Sequence, residues 1–186
     1  TIDGILEEYR IDRIRIESVL ESLAKEVHNR SEAFEKLVEE ITFTMFNRIA
    51  AMKLLDAFRL YAPMITREGQ FGNRSYSHSE WLEQNPQARN SELEGLAEFF
   101  VAQLELLARD ISLFDLNNPY HLLPTATELD EVITLFNAIE TDEQVGADIW
   151  QSDDVLGWLY ESYNNDKKAK HKNSGLKTEF DKVSIQ

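Results

Sequence analysis

Residues 31–60 read SEAFEKLVEEITFTMFNRIAAMKLLDAFRL and contain no glycine or proline. Apolar side chains recur at helical spacing along two faces of this stretch. The first face carries Phe34, Leu37, Val38, Ile41, Met45, Ile49 and Met52, and the second carries Phe43, Phe46, Ala50 and Leu54. A helix that is apolar on two sides is usually central and buried. The stretch therefore predicts a buried helix over residues 31–60, around which the other helices pack.

Two polar residues, Asn47 and Arg48, interrupt this apolar run. A buried polar group without a partner costs on the order of 1–3 kcal/mol. Each of these side chains is therefore expected to find a hydrogen-bond partner inside the fold.

The segments on either side of this helix show weaker patterns. Apolar spacing predicts an amphipathic helix over about residues 3–28, and Asn29 and Ser31 supply a break and a cap. Residues 61–90 contain two prolines and two glycines, which indicates a loop with a short helix over Ser79–Gln84.

The third long helix is predicted to begin at Ser91. Glu94 follows three residues later, as in a capping box, and apolar residues continue at helical spacing to Ile111. The next segment, Leu113–Pro124, is apolar and rich in turn residues, so it is expected to be a connection.

Two further helices are predicted near the end of the chain. The fourth covers about residues 128–140 with Thr127 as its cap, and the fifth covers about 153–164 with Ser152 as its cap. No alternating strand pattern and no internal repeat are found. The predicted fold is an all-α, irregular multi-helix domain of five or more helices.

Composition limits the possible functions. The chain has 186 residues, no cysteine, 42% hydrophobic residues and a formal net charge of −15. Without cysteine, a disulfide scaffold, a Cys-ligated zinc, an iron–sulfur cluster and thiol catalysis are excluded. No apolar run approaches the roughly 18 residues of a membrane span, and no basic-then-apolar leader opens the sequence. We therefore expect a cytoplasmic protein with no membrane partner.

The negative charge is concentrated in one segment. Residues 111–166 contain 12 acidic residues and no lysine or arginine, whereas residues 167–186 contain six lysines. The acidic segment is interpreted either as solvated helix faces or as a surface that meets a basic partner or imitates nucleic acid. The lysine-rich segment is interpreted either as a flexible linker or as a phosphate contact.

The sequence contains no recognisable catalytic constellation. None of the four histidines at positions 28, 78, 121 and 171 has the spacing of a familiar metal motif, and no phosphate-binding glycine loop or nucleophile elbow is present. No catalytic, cofactor-binding or metal-ligating residue is therefore assigned within the chain.

One string, Asn117-Asn118-Pro119-Tyr120, is similar to the Asn-Pro-Pro-Tyr signature of amino-methylating DNA methyltransferases. In that signature, polar groups hold the amine of a flipped base and the ring stacks on it. Here the first proline is missing and the string follows a predicted helix. It is therefore predicted to be a turn.

Four stretches carry a family resemblance. They are Phe34–Asp56, Met64–Arg67 with its continuation to Arg74-Ser75, Leu113–Leu123 and Asp153–Tyr163. Phe46-Asn47-Arg48 with Lys53-Leu54-Leu55-Asp56, and Leu156-Gly157-Trp158-Leu159-Tyr160, are the most specific parts. Together they resemble the region that precedes the catalytic domain in large adenine-specific DNA methyltransferases. The closest group is the PglX-type enzyme of the BREX phage-defence system, and related fused restriction–modification methylases share the pattern.

This resemblance implies a parent enzyme that methylates the N6 amine of adenine in DNA with S-adenosylmethionine. It implies a helical N-terminal region over residues 1–165 and a lysine-rich linker over 166–186. A catalytic domain would follow outside this chain, which itself would bind no cofactor. The chain begins with threonine within a helical pattern, which also favours a piece of a longer protein.

In such a region the helices would shape the DNA cleft or dock other defence-system subunits, with Asn47 and Arg48 as internal polar anchors. Possible contacts to DNA or to a partner are few. They are Arg67, Arg74, Tyr76 and His78 in the loop region, and Lys167, Lys168 and Lys170 in the lysine-rich segment.

Two alternatives stay open at this point. The chain could be a stand-alone acidic protein-interaction module, for example a nucleic-acid mimic, with binding that weakens steeply in salt. It could also be a structural spacer whose removal leaves methylation intact.

Overall fold

The computed structural model describes residues 10–142, 148–152, 154–155, 157–161 and 165. The described chain is an all-α, multi-helix domain, as predicted, and it contains no β-strand beyond an isolated bridge between Glu68 and Arg74. Five α-helices have both of their ends within the described residues. They are α1 (Arg10–Val27), α2 (Arg30–Ala57), α3 (Tyr76–Gln84), α4 (Leu96–Leu107) and α5 (Ala126–Ala138), joined by short 3₁₀ turns.

Helices α1 and α2 form an antiparallel hairpin. Asn29 caps α2, because its side-chain oxygen accepts hydrogen bonds from the backbone N–H groups of Ser31 and Glu32. The preceding residue, His28, takes a left-handed conformation that reverses the chain. The sequence prediction of a break and a cap at this place is confirmed.

The predicted central helix forms, but it is buried mainly along its C-terminal half, and Phe34 and Val38 of its predicted first apolar face are exposed. Helix α2 has 28 residues, and its C-terminal half lies in the main core with Ile49 and Met52. Around it pack buried residues from α4, α5 and the later 3₁₀ turn: Phe99, Phe100, Leu104, Ile133, Phe136 and Trp150. A smaller cluster of Leu23, Ala33 and Leu37 closes the hairpin, and Tyr120 packs against it.

The short helix in the loop region is longer than predicted. Helix α3 begins at Tyr76, three residues before the expected start, because Ser75 accepts a hydrogen bond from the His78 N–H. Trp81 of this helix packs against the main core and against Phe99, with ring centroids 5.9 Å apart. This contact fits an anchoring role for Trp81.

The predicted start of α4 is wrong. Residues Glu92–Glu94 form a 3₁₀ turn, and the helix begins only at Leu96, with Gly95 as its N-cap and no side-chain cap. Glu94 does not complete a capping box with Ser91, because its carboxylate instead binds the guanidinium of Arg74.

The predicted cap of α5 is off by two residues. Thr125, and not Thr127, caps the helix and forms a capping box with Glu128, so the helix begins at Ala126. Thr127 instead donates a hydrogen bond to Glu92. Of the predicted fifth helix, residues 155 and 157–161 are helical, as is residue 165 just beyond it, whereas positions 153, 156 and 162–164 lie outside the described residues. Ser152 accepts a hydrogen bond from the Asp154 N–H there, as expected of its cap.

No helix in the part of the chain that the structure describes is long and apolar enough to cross a membrane.

Candidate functional site

A buried guanidinium organises the connection between α4 and α5. Arg48 is fully buried on α2 and donates hydrogen bonds to the carbonyl oxygens of Leu113 at 2.9 Å and Asp115 at 2.6 Å. Its Nη1 also lies 2.7 Å from Nδ1 of His121. The prediction that Arg48 finds internal partners is confirmed, and the 113–121 segment takes its shape around this side chain.

Asn47 behaves differently from its neighbour. It is half-buried, and its side chain makes no hydrogen bond within the described residues. The prediction of a partner for Asn47 is therefore not met there.

His121 is buried between two arginines. Besides Arg48, Arg15 of α1 donates a hydrogen bond to the His121 carbonyl oxygen. Burial, and then the two guanidinium charges, lower the pKa of His121 to about 4. The imidazole is therefore neutral near pH 7 and accepts at Nδ1 from Arg48. Through these contacts His121 joins the 113–121 segment to α1 and α2.

A second buried polar group holds the segment after α2. The Asp56 carboxylate accepts three backbone N–H bonds, from Met64, Ile65 and Thr66, at 2.8–2.9 Å. Burial raises the pKa of Asp56, and the three donors oppose that shift. The result is a tight junction between α2 and the 64–66 segment.

One helical turn earlier, Lys53 is also fully buried. Its Nζ lies 2.6 Å from a Glu140 carboxylate oxygen and donates to Thr66 Oγ1 at 2.9 Å. Asn137 joins the same group by donating to the Ile65 carbonyl oxygen and accepting from the Arg67 N–H. These contacts tie α2, the 64–67 segment and α5 together. Lys53 and Asp56 are polar residues within an apolar run, and this feature of the sequence could have identified them. No feature of the sequence pointed to Asn137 or Glu140.

Beside this polar group lies an open cleft of about 360 Å³. It is bounded by the 64–75 segment, the turn before α4 and one face of α5. The lining residues are Met64, Ile65, Arg67, Gly72, Asn73, Arg74, Ser75, His78, Leu93, Glu94, Leu96, Asp130 and Ile133. Three of the seven predicted contact residues, Arg67, Arg74 and His78, therefore meet in one place.

Both arginines of the cleft already hold a carboxylate. Arg74 binds Glu94 through two hydrogen bonds, at 2.5 Å from Nε and 2.8 Å from Nη2. Arg67 donates to Asp130 and, at 3.1 Å, to Thr134. The side chains are 26% and 14% exposed, respectively. Each arginine therefore attaches the 64–75 segment to a neighbouring element and also lines the cleft. Arg67 attaches it to α5, and Arg74 attaches it to the turn before α4.

The remaining predicted contacts have different surroundings. His78 is buried, and its ring stacks on that of Phe99 with ring centroids 4.6 Å apart. Its Nε2 atom lies 2.9 Å from the Glu94 carbonyl oxygen. Burial lowers the pKa of His78. Tyr76 is exposed, and its ring meets the edge of Phe71. Lys167, Lys168 and Lys170 lie outside the described residues.

The turn at the rim of the cleft has an unusual backbone. Leu93, Glu94 and Gly95 all have positive φ, at 47°, 55° and 69°. A left-handed conformation costs a non-glycine residue roughly 1–2 kcal/mol. At Gly95 an added Cβ would lie 2.8 Å from the Cβ of Ala88, so glycine is required there. The Arg74 and His78 contacts of Glu94 hold this strained turn in place.

The Asn117-Asn118-Pro119-Tyr120 string is a turn, as predicted. Asn118 accepts a hydrogen bond from the Tyr120 N–H, and Asp115 accepts one from the Asn117 N–H. Among the described residues, no group of three or more acidic or histidine side chains could hold a metal ion.

Comparison with known proteins finds one informative relative. The chain is 28% identical over 162 residues to the adenine-specific methyltransferase BrxX of Escherichia coli O9:H4 (strain HS). It is similar to part of a methyltransferase. The alignment covers 75% of this chain and 13% of the relative, so the chain spans a small part of that protein's length. No family model and no solved structure matches the chain. The similarity indicates a methyltransferase relationship.

Proposed function

We infer that the chain is the non-catalytic helical part of a site-specific adenine-N6 DNA methyltransferase that uses S-adenosylmethionine. The parent would act in phage defence of the BREX type or in restriction–modification. The observation that carries this proposal is the similarity to BrxX along 75% of the chain. In this proposal residues 1–165 form the helical region and residues 166–186 link it to the catalytic domain.

The internal contacts support a scaffolding role. The four stretches that resemble the methyltransferase region touch one another inside the fold. Arg48 joins the first stretch to the third, and Asp56 joins the first to the second. Phe43 and Tyr160, with ring centroids 5.9 Å apart, join the first to the last. These contacts fit a structural role for the four stretches.

The scaffold would hold the loop surface around Arg67, Arg74 and Tyr76 at a fixed place beside the catalytic domain. From there it would contact DNA or other defence-system subunits. Phosphate contacts by arginine position a protein on DNA without reading the sequence. This region is therefore expected to affect DNA binding and assembly, and S-adenosylmethionine would be bound elsewhere in the parent.

The proposal is tested with the natural polypeptide that carries this chain. Incubated with S-adenosylmethionine and duplex DNA, it is expected to produce N6-methyladenine at a defined sequence. The 186-residue chain alone is expected to show no heat of S-adenosylmethionine binding and no methylation. Calorimetric detection of cofactor binding by the chain alone would overturn the non-catalytic assignment.

A deletion of the helical region distinguishes a scaffold that methylation requires from a spacer that it does not. Removal of residues 1–165 from the parent is expected to abolish methylation while the catalytic domain still binds S-adenosylmethionine. Retention of full methylation with only lower solubility would instead identify a spacer. A parent that never methylates adenine would contradict the proposal as a whole.

A further inference from the structure

Ser91 already has the backbone of an N-cap residue, although it caps no helix. Its φ of −82° and ψ of 168° are those of the extended conformation that N-cap residues adopt, and its side chain makes no capping bond. In a capping box the Glu94 N–H would donate to the Ser91 hydroxyl. It donates instead to the Ser91 carbonyl oxygen at 3.1 Å. The two residues are therefore close enough to form the box once the backbone between them becomes helical.

That backbone is held in a costly conformation. Leu93 and Glu94 have left-handed φ values of 47° and 55°. A right-handed helix requires both values to be about −63°. Leu93 gains little from its surroundings, because its side chain is 43% exposed. Rotation of both residues into the right-handed region would remove the strain and add residues to the start of α4.

Gly95 fits either conformation of the turn. It is the N-cap of α4 in the structure, with a φ of 69°. Glycine adopts left-handed and right-handed backbone with similar ease, so Gly95 itself raises no steric barrier to a helical conformation. A glycine inside a helix also weakens that helix relative to alanine. The longer helix is therefore allowed at Gly95 without being strongly favoured.

The Arg74–Glu94 ion pair opposes this change. Arg74 donates from Nε at 2.5 Å and from Nη2 at 2.8 Å to the two carboxylate oxygens of Glu94. Paired charge-assisted hydrogen bonds of this kind are among the strong ones that side chains make. His78 adds a contact of 2.9 Å between its Nε2 and the Glu94 carbonyl oxygen. Meanwhile the Ser91 N–H donates to the Ala88 carbonyl oxygen, so neither half of the box is formed.

We propose that the Arg74–Glu94 ion pair is a latch that keeps α4 short, and that release of the pair lengthens α4 by about one turn with Ser91 as its new N-cap. The strain at Leu93 and the unused cap favour the long form. The ion pair and the His78 contact favour the short form. The two side chains of the pair are 26% and 37% exposed, so solvent and salt reach the latch.

Release of the latch would also change how the 64–75 segment is held. Arg74 attaches this segment to the turn before α4, while Arg67 attaches it to α5. In the long form the attachment to α5 would remain, whereas Leu93 and Glu94 would leave the edge of the cleft that they now line. The latch therefore couples the length of α4 to the position of the 64–75 segment. This inference does not rest on the proposed function.

The first experiment measures backbone φ in the turn before α4 by NMR of the 186-residue chain, through three-bond couplings and Hα(i)–HN(i+3) NOEs. Arg74→Gln removes the ion pair and is expected to convert Leu93 and Glu94 to helical geometry. Arg89→Gln is the matched control, because Arg89 forms a separate exposed pair with Glu83. It is expected to leave the turn left-handed. Left-handed residues retained in a folded Arg74→Gln variant would overturn the proposal.

A second variant releases the latch from its other side. Arg74→Gln also removes a hydrogen bond to the Phe71 carbonyl oxygen, which Glu94→Gln leaves in place. Glutamine can still complete a capping box, so Glu94→Gln is expected to lengthen α4 as well. Glu94→Ala breaks the pair but cannot complete the box, and weaker helical NOEs are expected from it than from Glu94→Gln. Equal NOEs in these two variants would refute the role of the box.

The second experiment tests whether Ser91 becomes a cap. In the wild-type chain, Ser91→Ala is expected to change the equilibrium constant for unfolding by about twofold or less. In the Glu94→Gln background the same substitution is expected to change it about fivefold, because a formed N-cap is then lost. Urea denaturation measures both constants. The same small effect in both backgrounds would contradict the new cap.

The third experiment weakens the latch without a mutation. Raising sodium chloride from about 0.1 M to about 1 M shortens the Debye length from about 10 Å to about 3 Å, which weakens a partly exposed ion pair. The amide resonances of residues 92–95 are expected to move toward their positions in Arg74→Gln. In Arg74→Gln itself they are expected to stay fixed. Constant wild-type resonances, or equal shifts in the two chains, would contradict release through this ion pair.

Discussion

Helices α4 and α5 begin with the same kind of sequence but start in different ways. Ser91 and Thr125 each stand three residues before a glutamate, as a capping box requires. At Thr125 the box forms, with reciprocal bonds between Thr125 and Glu128. At Ser91 it does not, because Glu94 is turned toward Arg74.

The difference shows that a capping signal predicts a helix start only when its residues have no stronger partner. Glu128 is exposed, and none of the described residues places a competing cation on it, so its local bonds decide the geometry. Glu94 lies within reach of a guanidinium that offers two charge-assisted hydrogen bonds. The α4 start is therefore set by tertiary contacts and the α5 start by local ones.

The largest expected effect is at Gly95. Gly95→Ala places a Cβ 2.8 Å from Ala88 Cβ and 3.2 Å from the Trp81 ring, in a left-handed residue. We expect a loss of about 2–4 kcal/mol in the free energy of unfolding, measured by urea denaturation. Gly157→Ala is the matched control, because no atom lies within 4 Å of its added Cβ. Similar stability of the two variants would disprove the tight turn at α4.

The two caps are compared directly by alanine substitution. Thr125→Ala removes a formed cap and is expected to cost about 1 kcal/mol. Ser91→Ala removes a side chain that caps nothing and is expected to change stability by less than about 0.5 kcal/mol. Both values come from thermal or urea unfolding of the same chain. Equal costs would mean that Ser91 caps α4 after all.

Leu93→Gly relieves strain at the α4 start only. Glycine adopts the left-handed conformation without the steric cost that leucine bears there, and Leu93 is largely exposed. We expect a gain of about 0.5–1 kcal/mol in unfolding free energy. Leu135→Gly, at an exposed site inside α5, is the control and should be destabilising. A destabilised Leu93→Gly variant would argue against backbone strain at this position.

The N-terminal ends of α4 and α5 should also be destabilised at different pH values when acid is added. Burial lowers the pKa of His78, which contacts Glu94, so protonation favours the unfolded chain. The stabilisation that the neutral His78 side chain gives to the folded state is complete above the ordinary histidine pKa of 6.5. It is lost as the pH falls through the pKa of His78 in the folded state. The backbone and side-chain hydrogen bonds of Thr125 lower the pKa of Glu128, so its contribution is lost only as the pH falls below 4.5.

The expected result is that amide resonances of Leu96–Glu98 shift as the pH falls below 6.5 and through the lowered pKa of His78, while those of Ala126–Glu128 stay constant until the pH falls below 4.5. Two-dimensional NMR of the chain measures both sets at once. The nearby charges are those of Arg67, Arg74 and Glu94. In His78→Gln the α4 response should disappear, and its persistence would assign the shift to another titrating group.

Helical periodicity was sufficient to predict the fold class, because apolar residues recur at helical spacing along α1, α2 and α5. Arg48 was also recognisable, as a charge inside an apolar run that must have a partner. The cleft was only partly predictable. Arg67, Arg74 and His78 were chosen from one loop, but their carboxylate partners Glu94 and Asp130 stand 20 and 63 residues away. Such pairs depend on how the helices pack, which local spacing does not encode.

The buried Arg48 has a consequence for the order of folding. Its partners Leu113 and His121 lie 65 and 73 residues further along the chain, whereas α2 itself needs only neighbouring residues to form. The 113–121 segment therefore cannot form its hydrogen bonds to Arg48 until α2 has formed and placed the guanidinium. We expect this segment to be the last to become native and the first to open, which segment-resolved amide hydrogen exchange would detect as 113–121 opening before α2.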